Sequence, residues 1–290
     1  MLQALKYGFR IATLNLKLWG MLYLINILFA GLVVVPLLYY LGDKLAFTKV
    51  TDRLIGGFDF TLFNDFLNQY PEFLRLMSTQ TAMIGLLFLL FYMFLNGGIL
   101  ARLKNYETDI HRIGNFWTNC GKYFWRLFRL AFYFVLIHLG IALLFFTIFN
   151  LSVRGGLDRF TSEAAIFSRA KICLSGYVLT ALFFFMVQDY AKVMIVARDR
   201  RWIFREFWGA FKLAIKNSRK TYGLYLLLTG IFIVVSIFYS QIDGWIHQTG
   251  IPSLLLFLIG QVYVLLQIGF KLVNLGSVTE MFRQVEGIIK

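Results

Sequence analysis

Residues Thr81–Leu100 read TAMIGLLFLLFYMFLNGGIL, twenty consecutive positions without a charge. At about 1.5 Å of rise per residue a helix of this length covers about 30 Å, the thickness of a bilayer's hydrocarbon core. An unsatisfied backbone amide costs several kcal/mol in that medium, so the stretch can cross it only as a helix. Five more stretches share its character: Leu18–Leu41, Phe128–Phe149, Ile172–Ile195, Tyr222–Tyr239 and Pro252–Leu275. The expected fold is all-α, a polytopic membrane protein whose six transmembrane helices form three hairpins, with residues 1–290 making one membrane domain.

Composition agrees with the local reading. The chain is 59% hydrophobic and 15% charged, against about 25% charged in soluble domains, and the surplus apolar surface needs lipid to cover it. Phe occurs 32 times and Pro three times, which suits long unbroken helices better than the short, turn-bounded strands of a β-barrel. The first apolar run is longer than a secretory h-region and lacks a small-x-small cleavage site, so it reads as a retained span. Cys120 and Cys173 offer no metal spacing and are expected on opposite sides of the membrane.

The net charge of +14 would point to nucleic acid in a soluble chain. Here it follows the rule that Lys and Arg near spans stay cytoplasmic, and it attracts anionic lipid. Nineteen basic residues fall in or beside the N-terminal tail, the second and fourth loops and the C-terminal tail, against eight on the other side. Both termini are therefore expected in the cytoplasm.

The basic loops carry a helical pattern. At 100° per residue, Ile203, Phe204, Phe207, Trp208, Phe211, Ala214 and Ile215 share one arc, with Arg201, Arg205, Lys212, Lys216 and Arg219 opposite; this predicts an amphipathic helix on the inner leaflet with the cations at lipid headgroups. In the second loop Ile113, Phe116, Trp117, Cys120, Phe124 and Leu127 oppose Arg112, Lys122, Arg126 and Arg129, which predicts a second interfacial helix. Leu2–Lys17 is a looser third. Each precedes an odd-numbered span, as an internal repeat would. The first and third align without a gap: Gly8-Phe9-Arg10-Ile11-Ala12 with Ala210-Phe211-Lys212-Leu213-Ala214, Asn15 with Asn217, and Leu22-Tyr23-Leu24 with Leu224-Tyr225-Leu226.

Across the membrane, the loop from Gly42 to Gln80 repeats Phe58, Leu62, Phe66, Tyr70, Phe73 and Met77 at three- and four-residue steps, predicting an amphipathic helix that Pro71 kinks or ends. The third loop, Leu151–Lys171, reads as polar, and the fifth as a short turn around Asp243-Gly244.

Ionisable residues inside a membrane are functional candidates by default. Four qualify: His138 in mid-span, Asp189 and Lys192 three residues apart on one helical face, and Lys271 near the end of the sixth span. One reading is a proton or substrate path with His138 as midpoint and Asp189 as exit. The favoured reading is structural, with His138 bonded to a neighbouring helix and Asp189 paired with Lys192 or Lys271. Asn26, Asn96, Gln261 and Gln267 read as fasteners between helices, and Gly97-Gly98 as a close-packing site. P-loop, zincin, hydrolase-elbow and dinucleotide motifs are absent from the sequence, so neither catalytic nor cofactor or metal residues are expected.

The runs Gln188-Asp189-Tyr190-Ala191-Lys192-Val193 and Val196-Ala197-Arg198-Asp199-Arg200-Arg201, the basic helix leading into Tyr225-Leu226, and Phe94-Leu95-Asn96-Gly97-Gly98-Ile99-Leu100 resemble uncharacterised bacterial six-span membrane proteins. The resemblance implies residence in a bacterial inner membrane and carries no activity with it. The functional expectation is a non-enzymatic accessory, scaffold or assembly subunit that binds anionic phospholipids and other membrane proteins, and no nucleic acid. The alternative is a transporter or permease subunit, such as the membrane half of an exporter working with a separate ATPase.

Overall fold

The computed structural model describes residues 1–45, 60–104, 113–153, 163–249 and 253–287. Every element among them is an α-helix: α1 (Leu2–Leu14), α2 (Leu16–Leu45), α3 (Phe60–Gln69), α4 (Pro71–Lys104), α5 (Ile113–Val153), α6 (Glu163–Arg198), α7 (Ile203–Lys216), α8 (Ser218–Thr249) and α9 (Ser253–Glu286). Six of them, α2, α4, α5, α6, α8 and α9, are long and apolar enough to cross a membrane. Many large apolar side chains on these six are exposed, among them Leu28, Leu86, Phe146 and Phe257, as a lipid-facing surface requires.

The helices gather into two compact units: Met1–Thr13, Met93–Ile231 and Lys271–Lys290 in the first, Leu14–Tyr92 and Phe232–Phe270 in the second. In the second, Phe73 is the buried centre of a cluster with Leu37, Tyr40 and Leu41 of α2, Leu67 of α3, and Tyr70 and Met77. Pro71 ends α3 and opens α4, where its missing N–H costs nothing. Pro36 sits inside α2 and deprives the Leu32 carbonyl of its usual donor; Gln80 Nε2 of α4 donates to that oxygen at 3.0 Å. Tyr23 donates to Gln261 at 2.9 Å, so Gln261 fastens α9 to α2. Asn26 donates to Leu22 of its own helix, and Gln267 is exposed.

In the first unit, small residues let helices approach. A Cβ on Gly98 of α4 would lie 2.5 Å from Cys120 Sγ and 2.8 Å from Phe116 of α5, and one on Gly276 of α9 would lie 3.2 Å from the Gly8 Cα of α1. Gly97-Gly98 thus packs as the sequence suggests. Helix α1 buries Ala4, Gly8, Ile11 and Ala12; α7 buries Ile203, Glu206, Ala210 and Ala214. The aligned pairs Gly8/Ala210 and Ala12/Ala214 therefore do the same job. The aligned asparagines do too: Leu18 and Trp19 donate to the Asn15 carbonyl, and Lys220 and Thr221 to that of Asn217, each marking the break between a short helix and a span.

Four expectations need correction. The second loop forms no separate interfacial helix: Ile113–Val153 is one helix of 41 residues, and Phe116, Cys120, Tyr123, Leu127 and Leu130 are buried in an unbroken stripe that continues into the span. The third loop is shorter than expected, since α5 runs to Val153 and α6 starts at Glu163. The turn expected at Asp243 is helical, α8 continuing to Thr249. The arc proposed for α7 divides, with Ile203 and Ala214 buried while Phe204, Trp208 and Ile215 are exposed. Phe58 and Arg112 lie outside the described residues.

Candidate interfacial site and intramembrane polar cluster

Charge collects where α4, α6 and α9 end, all within the first unit. The Lys104 ammonium of α4 donates to the Ala197 carbonyl of α6 at 2.9 Å, Arg198 of α6 binds Glu286 of α9, and Arg283 of α9 donates to the Lys104 carbonyl and to Tyr7 Oη of α1 at 2.9 Å. The three helix ends are thereby tied in a closed ring. Two of its links are cations on terminal helix carbonyls, where orphan acceptors and the helix dipole favour positive charge.

The corner from α6 to α7 is built on two acids. Glu206 is fully buried, and Arg198 Nη1 donates to its Oε2 at 2.9 Å while Arg200 Nη1 reaches Oε1 at 3.5 Å. Asp199 adopts φ 51°, a left-handed conformation that Asp tolerates better than most residues. Its carboxylate accepts from Lys122 Nζ at 2.6 Å and from Arg126 Nη1 at 2.7 Å, both on α5. Those hydrogen bonds, the Lys122 one first, hold the Asp199 carboxyl below the ordinary carboxylate range. Lys122 and Arg126, which the sequence reading sets at lipid headgroups, both bind Asp199 and so brace this corner.

The remaining headgroup candidates behave differently. Arg201, Arg205, Lys212, Lys216 and Arg219 are exposed, with Lys212 Nζ 5.9 Å from the Trp208 ring centre. Beside them Trp202, Phe204, Trp208 and Ile215 are also exposed. Helix α7 therefore has three sides: a small, acid-centred side on protein, an aromatic side on which Phe207 and Phe211 pack against α5 and α6 while Phe204 and Trp208 stay exposed, and an exposed basic side.

Deeper along the helices, Asp189 is held from two elements. Lys192 Nζ donates to Oδ1 at 2.9 Å and Asn274 Nδ2 of α9 to Oδ2 at 3.0 Å. Lys271 lies within electrostatic reach of both Asp189 and Lys192, so the ion pair expected from the sequence forms with Lys192 and has Lys271 beside it. Tyr190, wholly buried, has a hydroxyl without a hydrogen-bond partner among the described residues. His138 stands apart from this cluster. Its Nδ1 donates to Phe134 O of its own helix at 2.7 Å, correcting the expected bond to a neighbouring helix, and its ring packs 4.2 Å from that of Phe185 on α6.

Sequence reasoning missed Asn274, Glu206 and Asp199. A signal for the first was present: Asn96-Gly97-Gly98, Asp189-Tyr190-Ala191 and Asn274-Leu275-Gly276 repeat polar-x-small near the ends of the three even-numbered spans. Glu206 is the sole acid between Arg200 and Lys220, which itself marks it as a paired residue. No group of three or more His, Cys, Asp or Glu side chains among the described residues could hold a metal ion. Comparison with known proteins returned neither a matching protein-family model nor a matching curated protein or solved structure.

Proposed function

We propose that this chain is a non-enzymatic membrane subunit, an accessory, scaffold or assembly protein of a bacterial cytoplasmic membrane with both termini inside, anchored to anionic phospholipid and bound to other membrane proteins. The observation that carries the reading is the three-sided α7. A helix that already buries Ala210, Ala214 and Glu206 on protein and still presents Phe204 and Trp208 beside Arg205, Lys212 and Lys216 has the surface of a headgroup-seated helix, apolar rings toward the acyl boundary and cations toward phosphate. The intramembrane charges support it from the other direction: Asp189 is engaged by Lys192 and Asn274, a fastening role.

Purification in mild detergent with identification of co-eluting chains tests the reading. A reproducible assembly with other membrane proteins is the expected result. Co-elution of a single ATPase, with ATP-dependent solute movement in liposomes, would replace it with the exporter alternative. Reporter fusions after Lys290 and after Gly250 test orientation, with cytoplasmic and extracytoplasmic behaviour expected respectively.

A further inference from the structure

Helices α5 and α6 do not close on each other along their whole length. On α5 the stripe from Ala142 to Phe149 runs at i, i+3, i+4 and i+7, and on α6 the stripe from Ala170 to Tyr177 has the same spacing; between them lies an open hollow of about 480 Å³. Small side chains leave it open, Ala142 on one wall and Ala170 and Cys173 on the other, and Phe146 and Phe149 also line it. Such a volume is in the range of ligand pockets, about 300–1,000 Å³. Its lining is apolar apart from the Tyr177 hydroxyl and Lys171, and Lys171 is exposed.

Position along α6 says what fills it. Lys171 and Arg198 are 27 residues apart in one helix, about 40 Å at 1.5 Å per residue, close to the thickness of a bilayer with its headgroups. With Arg198 at the headgroup level beside α7, Lys171 reaches the opposite headgroup layer and the hollow lies just inside the hydrocarbon. A dry apolar hollow forfeits dispersion contacts on every wall, and the neighbouring material at that depth is acyl chain. We infer that this hollow is a specific site for an acidic phospholipid, one acyl chain between α5 and α6 and the phosphate at Lys171, in the leaflet opposite the one that α7 faces.

Cys173 lines the hollow and reports on it, whereas Cys120 is fully buried. The experiment measures the rate at which monobromobimane modifies Cys173 in the full chain in maltoside detergent, with dioleoylphosphatidylglycerol or dioleoylphosphatidylcholine added at equal mole fraction. The acidic lipid should slow modification about five-fold more than the zwitterionic one, the ratio expected from a single lysine–phosphate attraction near a membrane surface. Lys171→Gln, a change at an exposed position, should erase the difference, and Ala170→Phe should slow the reaction without lipid and make it indifferent to lipid. Equal protection by both lipids, no protection by either, or an undiminished difference in Lys171→Gln would each overturn the site. Neutralising Arg205, Lys212 and Lys216 together separates this inference from the proposed role of α7: the Cys173 difference should persist while binding to anionic vesicles falls. Its disappearance in that variant would assign the selectivity to α7 and refute the hollow as its source.

Discussion

Helix α7 and the first four turns of α5 carry the same pattern of aromatic and basic residues, and they fold into different things. In α7 Phe204 and Trp208 stay uncovered while Phe207 and Phe211 pack on Phe134 of α5 and Phe183 of α6, and Ala210 and Ala214 are buried. In α5 Phe116 and Cys120 are buried against Gly98 while Trp117 and Trp125 are exposed. Their cations diverge in step: Arg205, Lys212 and Lys216 are exposed, whereas Lys122 and Arg126 are bonded to Asp199. Two-sidedness alone thus does not name the partner of the apolar side. Small residues on a third side of the helix, or opposite it, decide which of its apolar side chains are buried against protein.

The largest expected effect tests the α7 half. Arg205→Gln, Lys212→Gln and Lys216→Gln together should weaken binding of the purified chain to vesicles rich in phosphatidylglycerol by about 3 kcal/mol, on the order of a hundred-fold, at low salt. Lys122→Gln with Arg126→Gln should change it only a few-fold. Equal losses in a flotation assay would erase the distinction between the two helices.

Next is packing. Gly98→Ala forces a Cβ against Cys120 and Phe116 and should cost about 2 kcal/mol, read as a lower midpoint of thermal unfolding in detergent. Gly209→Ala, whose Cβ would find its nearest neighbour, Met194 Sδ, at 3.6 Å, should gain up to about 1 kcal/mol from helix propensity. Gly98→Ala behaving like Gly209→Ala would mean that α4 and α5 are not in close contact.

Asp189→Asn should cost about 1–2 kcal/mol by leaving Lys192 unpaired, and adding Lys192→Met should restore part of the folded yield. Normal yield in Asp189→Asn with lost assembly in cells would give the carboxylate a role beyond fastening.

The smallest effect is a pH dependence. The native Asp199 carboxyl is held below its ordinary value, so its stabilising contribution is complete above the unfolded pKa of about 4 and disappears as pH falls through the lower native value. Unfolding midpoints should drop more between pH 5 and 3 in the native chain than in Asp199→Asn, which keeps a residue that tolerates the left-handed backbone. Parallel curves would show that the corner does not depend on the ion pairs.

The six spans were legible because lipid imposes a one-body condition on each segment: length and apolarity suffice, and no neighbour has to be known. The break at Pro71 and the Asp189–Lys192 pair were legible for a related reason, since both depend on positions a few residues apart. Asn274 was not, because its value lies in a bond to Asp189, 85 residues away in the chain, and one sequence does not carry that distance. The end of the second interfacial segment was hidden differently. Nothing between Phe116 and Phe134 breaks the helical phase of the buried stripe, whereas Asn15 and Asn217 interrupt α1 and α7 before their spans begin.

That missing interruption has a mechanical side. At 41 residues and about 1.5 Å each, α5 is about 62 Å long, against the 40–45 Å of a whole bilayer, and all of it is one unbroken helix. Where Asn15 and Asn217 act as joints, α5 has none between Ile113 and Val153. Bending α5 anywhere along that length means breaking helix hydrogen bonds.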